Sequence, residues 1–325
     1  MYKDKIRKLL LASTSGYVSG GELAKTLNIS RTAVWKQVKA LEHEGYSIEA
    51  VPSKGYRLMA RPDLINIGDV KDGLKTNVLG KDIKLYPETE STNILAMEMA
   101  SQGAAEGAVI VTETQTGGKG RLGRKWISPK GNLYFSVILR PDIPTHKAPL
   151  ITLMGAVAVV SALRKQCDVQ AAIKWPNDIF ISGKKVGGLL TEMSAEPDRI
   201  KHIVLGIGVD VNMDVKSLPV EIQALTTTLA AETNGMLDRS ILLRGLLSEL
   251  DRWYQIFLKN PSDVLREWEE LNMTIGNRVA VAGSGIALKG LAQGIDAEGR
   301  LILRLDDGTL RQVAAGDVTI LKGKA

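Results

Sequence analysis

Gln115-Thr116-Gly117-Gly118-Lys119-Gly120-Arg121-Leu122-Gly123-Arg124-Lys125-Trp126 is the stretch on which the reading of the fold turns. Residues 118–123 spell G-x-G-x-x-G, a fingerprint that binds dinucleotides only between a strand and its succeeding helix. Ala108-Val109-Ile110-Val111-Thr112 supplies a strand before the loop, but after it come Trp126, a turn at Pro129 and a second apolar strand from Leu133 to Leu139. A doubly wound nucleotide fold is therefore rejected, and no G-x-x-x-x-G-K-[ST] phosphate loop occurs. The loop has its own chemistry. Glycines leave backbone N–H groups free to approach an anion, and Lys119, Arg121, Arg124 and Lys125 place four cations within seven residues. Such a loop can close over a polyphosphate or an acyl phosphate.

Outward from the loop, strand-like and helical runs alternate between Asp63 and about Asn272. Strands are expected at Ala172-Ile173-Lys174, Ile179-Phe180-Ile181, Val186 to Met193 and Ile203 to Val211. Helices are expected at Ala148 to Lys165, Ser240 to Leu258 and Ser262 to Leu271. Short turns such as Ser182-Gly183-Lys184 join neighbouring strands, which predicts a mixed, largely antiparallel sheet in an α+β protein. Past residue 272, short strands at Arg278 to Val281, Leu291 to Ile295, Leu301 to Leu305 and Leu310 to Val313 are punctuated by Asp-rich glycine turns.

The first sixty residues read differently. Ile6, Leu9 and Leu10 and then Leu23, Ala24 and Leu27 have helical spacing. Ser30 is a natural N-cap for a helix whose Val34, Val38 and Leu41 recur at i, i+4 and i+7 until Gly45. A hairpin is expected around Pro52-Ser53-Lys54-Gly55. Three helices and a basic-tipped hairpin describe a winged helix-turn-helix. Arg31, Thr32, Lys36 and Lys39 would face DNA from the recognition helix, and Lys54 and Arg57 would reach phosphates from the wing. Trp35 is expected to pack into the core of this module. Charge agrees: residues 1–62 hold 11 Lys+Arg against 5 Asp+Glu, whereas residues 63–325 hold 31 of each. The domains expected are thus 1–62, 63–272 and 273–325, the first joined to the second at Arg61-Pro62-Asp63.

Composition excludes several classes of function. One cysteine, Cys167, forbids an internal disulfide and a thiolate metal cage, and three scattered histidines argue against a zinc enzyme or a Ser-His-Asp hydrolase. The longest apolar stretch, Leu150 to Leu163, is too short for a bilayer and reads as a buried helix. No membrane association and a cytoplasmic location are expected.

Three further clusters accompany the loop. They are Ser91-Thr92-Asn93, Lys174-Trp175-Pro176-Asn177-Asp178 with Lys185 beside Gly187-Gly188, and Gly206-Ile207-Gly208-Val209-Asp210. Ser91 or Thr92 would also serve as a plain N-cap, and the glycines of the third cluster would let a ligand lie against the strand. With these motifs in this order, the chain resembles the bifunctional biotin protein ligases that double as biotin operon repressors. The resemblance covers the whole chain, and the basic loop with Lys-Trp-Pro-Asn-Asp is specific to that family. Two positions depart from the family pattern: Lys119 stands where Arg is usual, and Asp210 where Asn is usual.

The resemblance implies a central domain like that of class II aminoacyl-tRNA synthetases and an SH3-like barrel at the C-terminus. It implies ATP as co-substrate, Mg2+ as cofactor, a biotin carboxyl carrier protein and operator DNA as partners, and a homodimer formed on adenylate binding. Ser91, Thr92, Asn93, Gln115, Lys119, Gly120, Arg121 and Lys185 would hold biotin. Arg124, Lys174, Asn177, Asp178 and Asp210 would hold the nucleotide, with Asp210 a candidate metal contact. Lys185, Arg121 and Asp178 would be the catalytic set. A lipoate–protein ligase, or a biotin-sensing transcription factor without turnover, are the competing readings. Because the net positive charge lies in residues 1–62 and phosphate contacts dominate DNA affinity, deleting that segment is expected to abolish operator binding in a mobility-shift titration. Retained, salt-sensitive binding by residues 63–325 would refute this.

Overall fold

The computed structural model describes residues 2–13, 16–196, 199–282 and 288–321. The chain divides into two compact units, Met1–Leu64 and Ile65–Ala325.

In the first unit, α1 (Tyr2–Ala12), α2 (Gly20–Leu27) and α3 (Arg31–His43) precede a hairpin of β1 (Ser47–Val51) and β2 (Gly55–Ala60). Ser19 and Ser30 cap α2 and α3 by accepting from the backbone N–H of Gly21 and Ala33. Ile6, Leu10, Leu23, Val34, Val38 and Leu41 form the buried core. Gly55 is required where it stands: at φ +112° its backbone lies against Val18, and a Cβ there would strike the Val18 carbonyl. Trp35 corrects an expectation. It is 50% exposed, because Val34, Val38 and Leu41 already fill the inward stripe and the next helical position is rotated away from it by about 100°.

The second unit is built on a seven-stranded sheet of order β3-β4-β5-β9-β8-β7-β6. Its strands are β3 (Ile83–Tyr86), β4 (Val109–Thr112), β5 (Leu133–Leu139), β6 (Ala172–Lys174), β7 (Asp178–Ile181), β8 (Lys184–Ala195) and β9 (Ile200–Val209). Only the β3–β4 pair is parallel, so the sheet is mixed and largely antiparallel. Around it lie the short α4 (Ile67–Lys71), α5 (Thr92–Ser101), α6 (Pro149–Cys167), the short α7 (Val220–Gln223) and α8 (Leu229–Glu232), α9 (Arg239–Lys259) and α10 (Pro261–Leu271).

Strand alternation assigns the two faces. Phe135, Val137, Leu205, Ile207 and Leu189 point into the main core, shared with α6 and α9. Ile110, Ile138 and Val204 point to the opposite face, against Ala96 and Ala100 of α5. Helix α6 has the length and apolarity of a membrane span, but it is the central core helix. Twelve of its residues are buried, and Gly155 lets Leu189 and Leu205 approach its backbone.

A second sheet of β10 (Arg278–Ala282), β11 (Leu288–Ile295), β12 (Leu301–Leu305), β13 (Leu310–Val313) and β14 (Asp317–Ile320) is wholly antiparallel, in the order β13-β12-β11-β10-β14. It joins the main core of this unit through Val279, Ala292, Leu301 and Leu303. Trp175, whose indole N–H donates to the Gly299 carbonyl, fastens the two sheets.

One buried ion pair ties loop, strand and helix together. Arg239 at the start of α9, with a fully buried side chain, donates to Glu113 (2.8 Å) and to the Asn132 carbonyl (2.7 Å). Glu113 also accepts from the Ile65 N–H. Removing one partner of such a pair strands a charge in low dielectric, at about 3–5 kcal/mol. Glu113→Ala is therefore expected to lower stability by that amount in urea unfolding monitored by far-ultraviolet circular dichroism, and an unchanged midpoint would contradict it.

Candidate functional site

A cavity of about 960 Å³ opens on the α5 side of the large sheet. All thirteen residues expected from sequence to bind biotin or nucleotide line it, although they come from α5, two loops, β6 to β8 and the end of β9. Six Lys or Arg side chains border it, against the two carboxyls of Asp178 and Asp210.

One end is a buried polar network. Ser136 carries the one aliphatic hydroxyl on β5, which donates to Thr92 Oγ1 and lies 2.7 Å from Asn93 Oδ1. Asn93 donates to Glu192 (2.7 Å) and to the Leu190 carbonyl. The Thr92 backbone N–H donates to Gln115, which in turn donates to Ser128. Ser91 occupies the cap position of α5 without making a side-chain cap bond, so the plain N-cap reading of this segment does not hold for it. The glycines of β9 have a different use from the one expected. A Cβ at Gly206 would overlap Asn93, and one at Gly208 would meet the Trp126 ring. They make room for protein side chains that form the cavity wall.

The basic loop folds back on itself. The Trp126 backbone N–H donates to the Gly118 carbonyl and that of Gly120 to the Arg124 carbonyl. Leu122 (φ +56°) and Gly123 (φ +74°) turn the tip in left-handed conformations. Arg121 reaches Asn177 (3.1 Å) and the Gly316 carbonyl, and Arg124 pairs with Asp317 (2.6 Å). The second sheet thus supplies contacts to the loop, with Thr319 and Ile320 on the cavity wall.

Lys185, on β8, sits 2.5 Å from Asp178 and 5.1 Å from the centre of the Trp126 ring. Burial pushes the Arg121 guanidinium down from its ordinary value, with Asp317 and Asp178 opposing. Burial likewise lowers the Lys174 ammonium, which lies 4.9 Å from the Phe180 ring centre. These are cations short of water and of full charge compensation, the condition in which an anionic ligand is favoured.

Sequence reasoning missed Ser136, Trp126 and Phe180 as site residues. A lone serine inside the apolar and aromatic run Leu133 to Leu139 was a usable signal for the first. Nothing local marked the others. The Trp126 indole N–H is buried without a hydrogen-bond partner among the described residues.

Comparison with known proteins agrees with this geometry. Residues 85–210 match the family described as biotin/lipoate A/B protein ligase, residues 3–57 an HTH domain, and residues 274–321 a biotin protein ligase C-terminal domain. The chain is 37% identical over 322 residues to the bifunctional ligase/repressor BirA of Bacillus subtilis, with 98% of each chain covered. The chain belongs to the bifunctional ligase/repressor family. The BirA of Escherichia coli is 29% identical, with 97% of this chain and 96% of that one covered. A biotin protein ligase from Aquifex aeolicus, solved in complex with biotin and ATP, superposes with a TM-score of 0.64 at 27% identity, covering 75% of this chain and 100% of that one.

In this ligase/repressor, the DNA-facing candidates belong to the first unit and none of them lines the cavity. Arg31, Thr32, Lys36, Lys39 and Lys54 are exposed. Lys39 pairs with Glu42. Arg57 is half-buried and engaged by Glu49 at 2.7 Å, with its guanidinium 4.9 Å from the centre of the Tyr17 ring.

Asp210 carries the second departure from the family pattern. Its carboxyl is buried and accepts from the Asn132 amide at 2.9 Å. Burial, only partly opposed by Lys185, pushes it up to about 8, so at neutral pH it is largely a neutral acid with one donor and one acceptor, much like the amide it replaces. No group of three His, Cys, Asp or Glu side chains able to hold a metal occurs among the described residues. An acid whose folded pKa lies above its unfolded value of 3.8 stabilises the fold at low pH, and this contribution is lost as pH rises through about 8. Asp210→Asn is therefore expected to be more stable than the parent by an amount that grows between about pH 4 and 8 and then levels off. Urea midpoints of both proteins across pH 4–9 check this, and a constant difference would contradict it.

Proposed function

We propose that the cavity is the active site of an ATP-dependent biotin–protein ligase, which joins biotin to ATP as biotinyl-5′-adenylate and then passes biotin to a lysine of a biotin carboxyl carrier protein. The observation that carries this reading is Lys185. It lies between Asp178 and the Trp126 ring, in a cavity bordered on one side by the basic loop and at one end by the Ser136–Thr92–Asn93 network.

In the first step the biotin carboxylate attacks the α-phosphate and pyrophosphate leaves. In the second, the carrier amine attacks the acyl phosphate and AMP leaves. Neither step needs a protein nucleophile. Both need two anions held together and the charge on the α-phosphate neutralised as it develops. Ser91, Thr92, Asn93 and Gln115 supply hydroxyl and amide groups for the polar ureido ring, and Lys119 and Arg121 supply cations for the carboxylate, with Gly120 between them leaving room for it to approach the loop. Lys185 exchanges Asp178 for the carboxylate and α-phosphate. Asp178, released from Lys185, orients the incoming amine and accepts its proton. Arg124, Lys174, Asn177 and Asp210 lie on the nucleotide side. Mg2+ enters as the companion ion of ATP, because the donor set described above does not form a protein cage for it, and no step is assigned to it.

The first unit acts as an operator-binding repressor module. The adenylate is also the corepressor, favouring a homodimer through the loop tip at Leu122, which is 65% exposed. The largely antiparallel seven-stranded sheet supports kinship with the core of class II aminoacyl-tRNA synthetases, and the five-stranded antiparallel sheet supports an SH3-like C-terminal domain. The divisions 1–62, 63–272 and 273–325, whose last four residues lie outside those described, accord with this reading, as does a cytoplasmic location.

Biotin-dependent exchange of labelled pyrophosphate into ATP tests the activity, and Lys185→Ala is expected to slow it about 10²–10³-fold. Exchange that depends on lipoate and not on biotin, or near-normal exchange by the variant, would overturn the assignment.

A further inference from the structure

The filled inward stripe of α3 leaves Trp35 on the outside, half exposed, and the core of the first unit needs nothing from its ring. Its neighbours on the helix surface are Arg31 at i−4, Thr32 at i−3 and Lys39 at i+4, with Lys36 adjacent in sequence. These spacings place them on one continuous face. A large apolar side chain is thus presented to solvent within a border of cations and a hydroxyl. Leaving an indole in water is unfavourable, and a protein partner with an apolar groove would have to bury those cations as well. A surface that is apolar at its centre and cationic at its rim is complementary to the major groove of duplex DNA, where phosphates line the walls and the thymine C5 methyl is the one apolar group on the floor. Charge points the same way, since all of the chain's net positive charge lies in residues 1–62.

We propose that Trp35 is a base-reading residue, packing its indole against a thymine methyl in each operator half-site while Arg31, Lys36 and Lys39 hold the phosphates. This rests on the repressor reading of the first unit and goes beyond it by naming the group that confers sequence preference. Apolar contact with a methyl adds specificity without adding charge, so Trp35 contributes to discrimination between sequences and not to the salt dependence of binding. Arg57, already occupied by Glu49 and Tyr17, stiffens the wing and leaves base recognition to α3.

The test uses the full-length chain with biotin and ATP. A duplex is first selected from a pool of random sequence, and each thymine in it is then replaced singly by uracil, which removes only the methyl. Affinities are read by fluorescence anisotropy of the labelled duplex. For the parent protein, one or two uracil positions per half-site are expected to weaken binding on the order of tenfold. Trp35→Ala should carry that loss on the thymine duplex and show no further loss on uracil, with an unchanged salt slope; Trp35→Phe should keep part of the discrimination. Trp35 is exposed, so neither variant disturbs the core. Failure of the parent to enrich any duplex would overturn the DNA-binding reading and this inference with it. Enrichment by the parent, with Trp35→Ala equal to it in affinity and in uracil response, would overturn the role of Trp35 alone. So would a uniform loss with a shallower salt slope, which would make Trp35 a backbone contact.

Discussion

The hydroxyl of Ser136 is the constraint on which the site depends. It lies on β5, between β4 and β9, on the sheet face opposite α6, and a buried hydroxyl there must be satisfied. It is satisfied by Thr92 and Asn93, which draws the first turn of α5 onto β5, while the Asn93 amide ties the same turn to β8. Asn93 can sit there only because residue 206 is glycine. From that anchor the chain of bonds runs through Thr92 to Gln115 and Ser128, which fixes the base of the basic loop. Cavity, loop root and polar end wall are consequences of one buried hydrogen-bond network in low dielectric, where each member is costly to leave unpaired.

The cationic side of the cavity is organised in the opposite manner, by incomplete compensation. Arg121 and Lys174 are partly desolvated, and Lys185 is shared between a carboxylate and an aromatic ring. The partners described for these cations are ones that a phosphate or carboxylate can replace. The rigid polar end and the exchangeable cationic side together suit a reaction in which a neutral ring is held still while charge moves. The second sheet takes part through Asp317 and Gly316, so the loop answers to both sheets.

Much of this was legible in the sequence because the deciding signals are local. Apolar runs marked β4 and β5, and the absence of a helix after the glycine loop excluded the dinucleotide fold. Clustered cations and glycines marked the loop, and the spacing of Val34, Val38 and Leu41 marked α3. The illegible part depends on what packs across the sheet. β3 and β14 are short edge strands of four residues with weak patterning. Gly206 and Gly208 read as space for a ligand, yet the space is taken by Asn93 and Trp126 from distant parts of the chain. The charge state of Asp210 is set by burial, which no local pattern reveals. Trp35 was misjudged because apolarity alone does not say on which side of a filled stripe a residue falls.

The claim that the Ser136 network presets the biotin end of the cavity is tested most directly by titrating biotin into Ser136→Ala in a calorimeter. The account predicts a weakening on the order of tenfold, since Thr92 and Asn93 lose the group that orients them, with the urea midpoint shifted only modestly. Unchanged biotin affinity in a folded variant would contradict it.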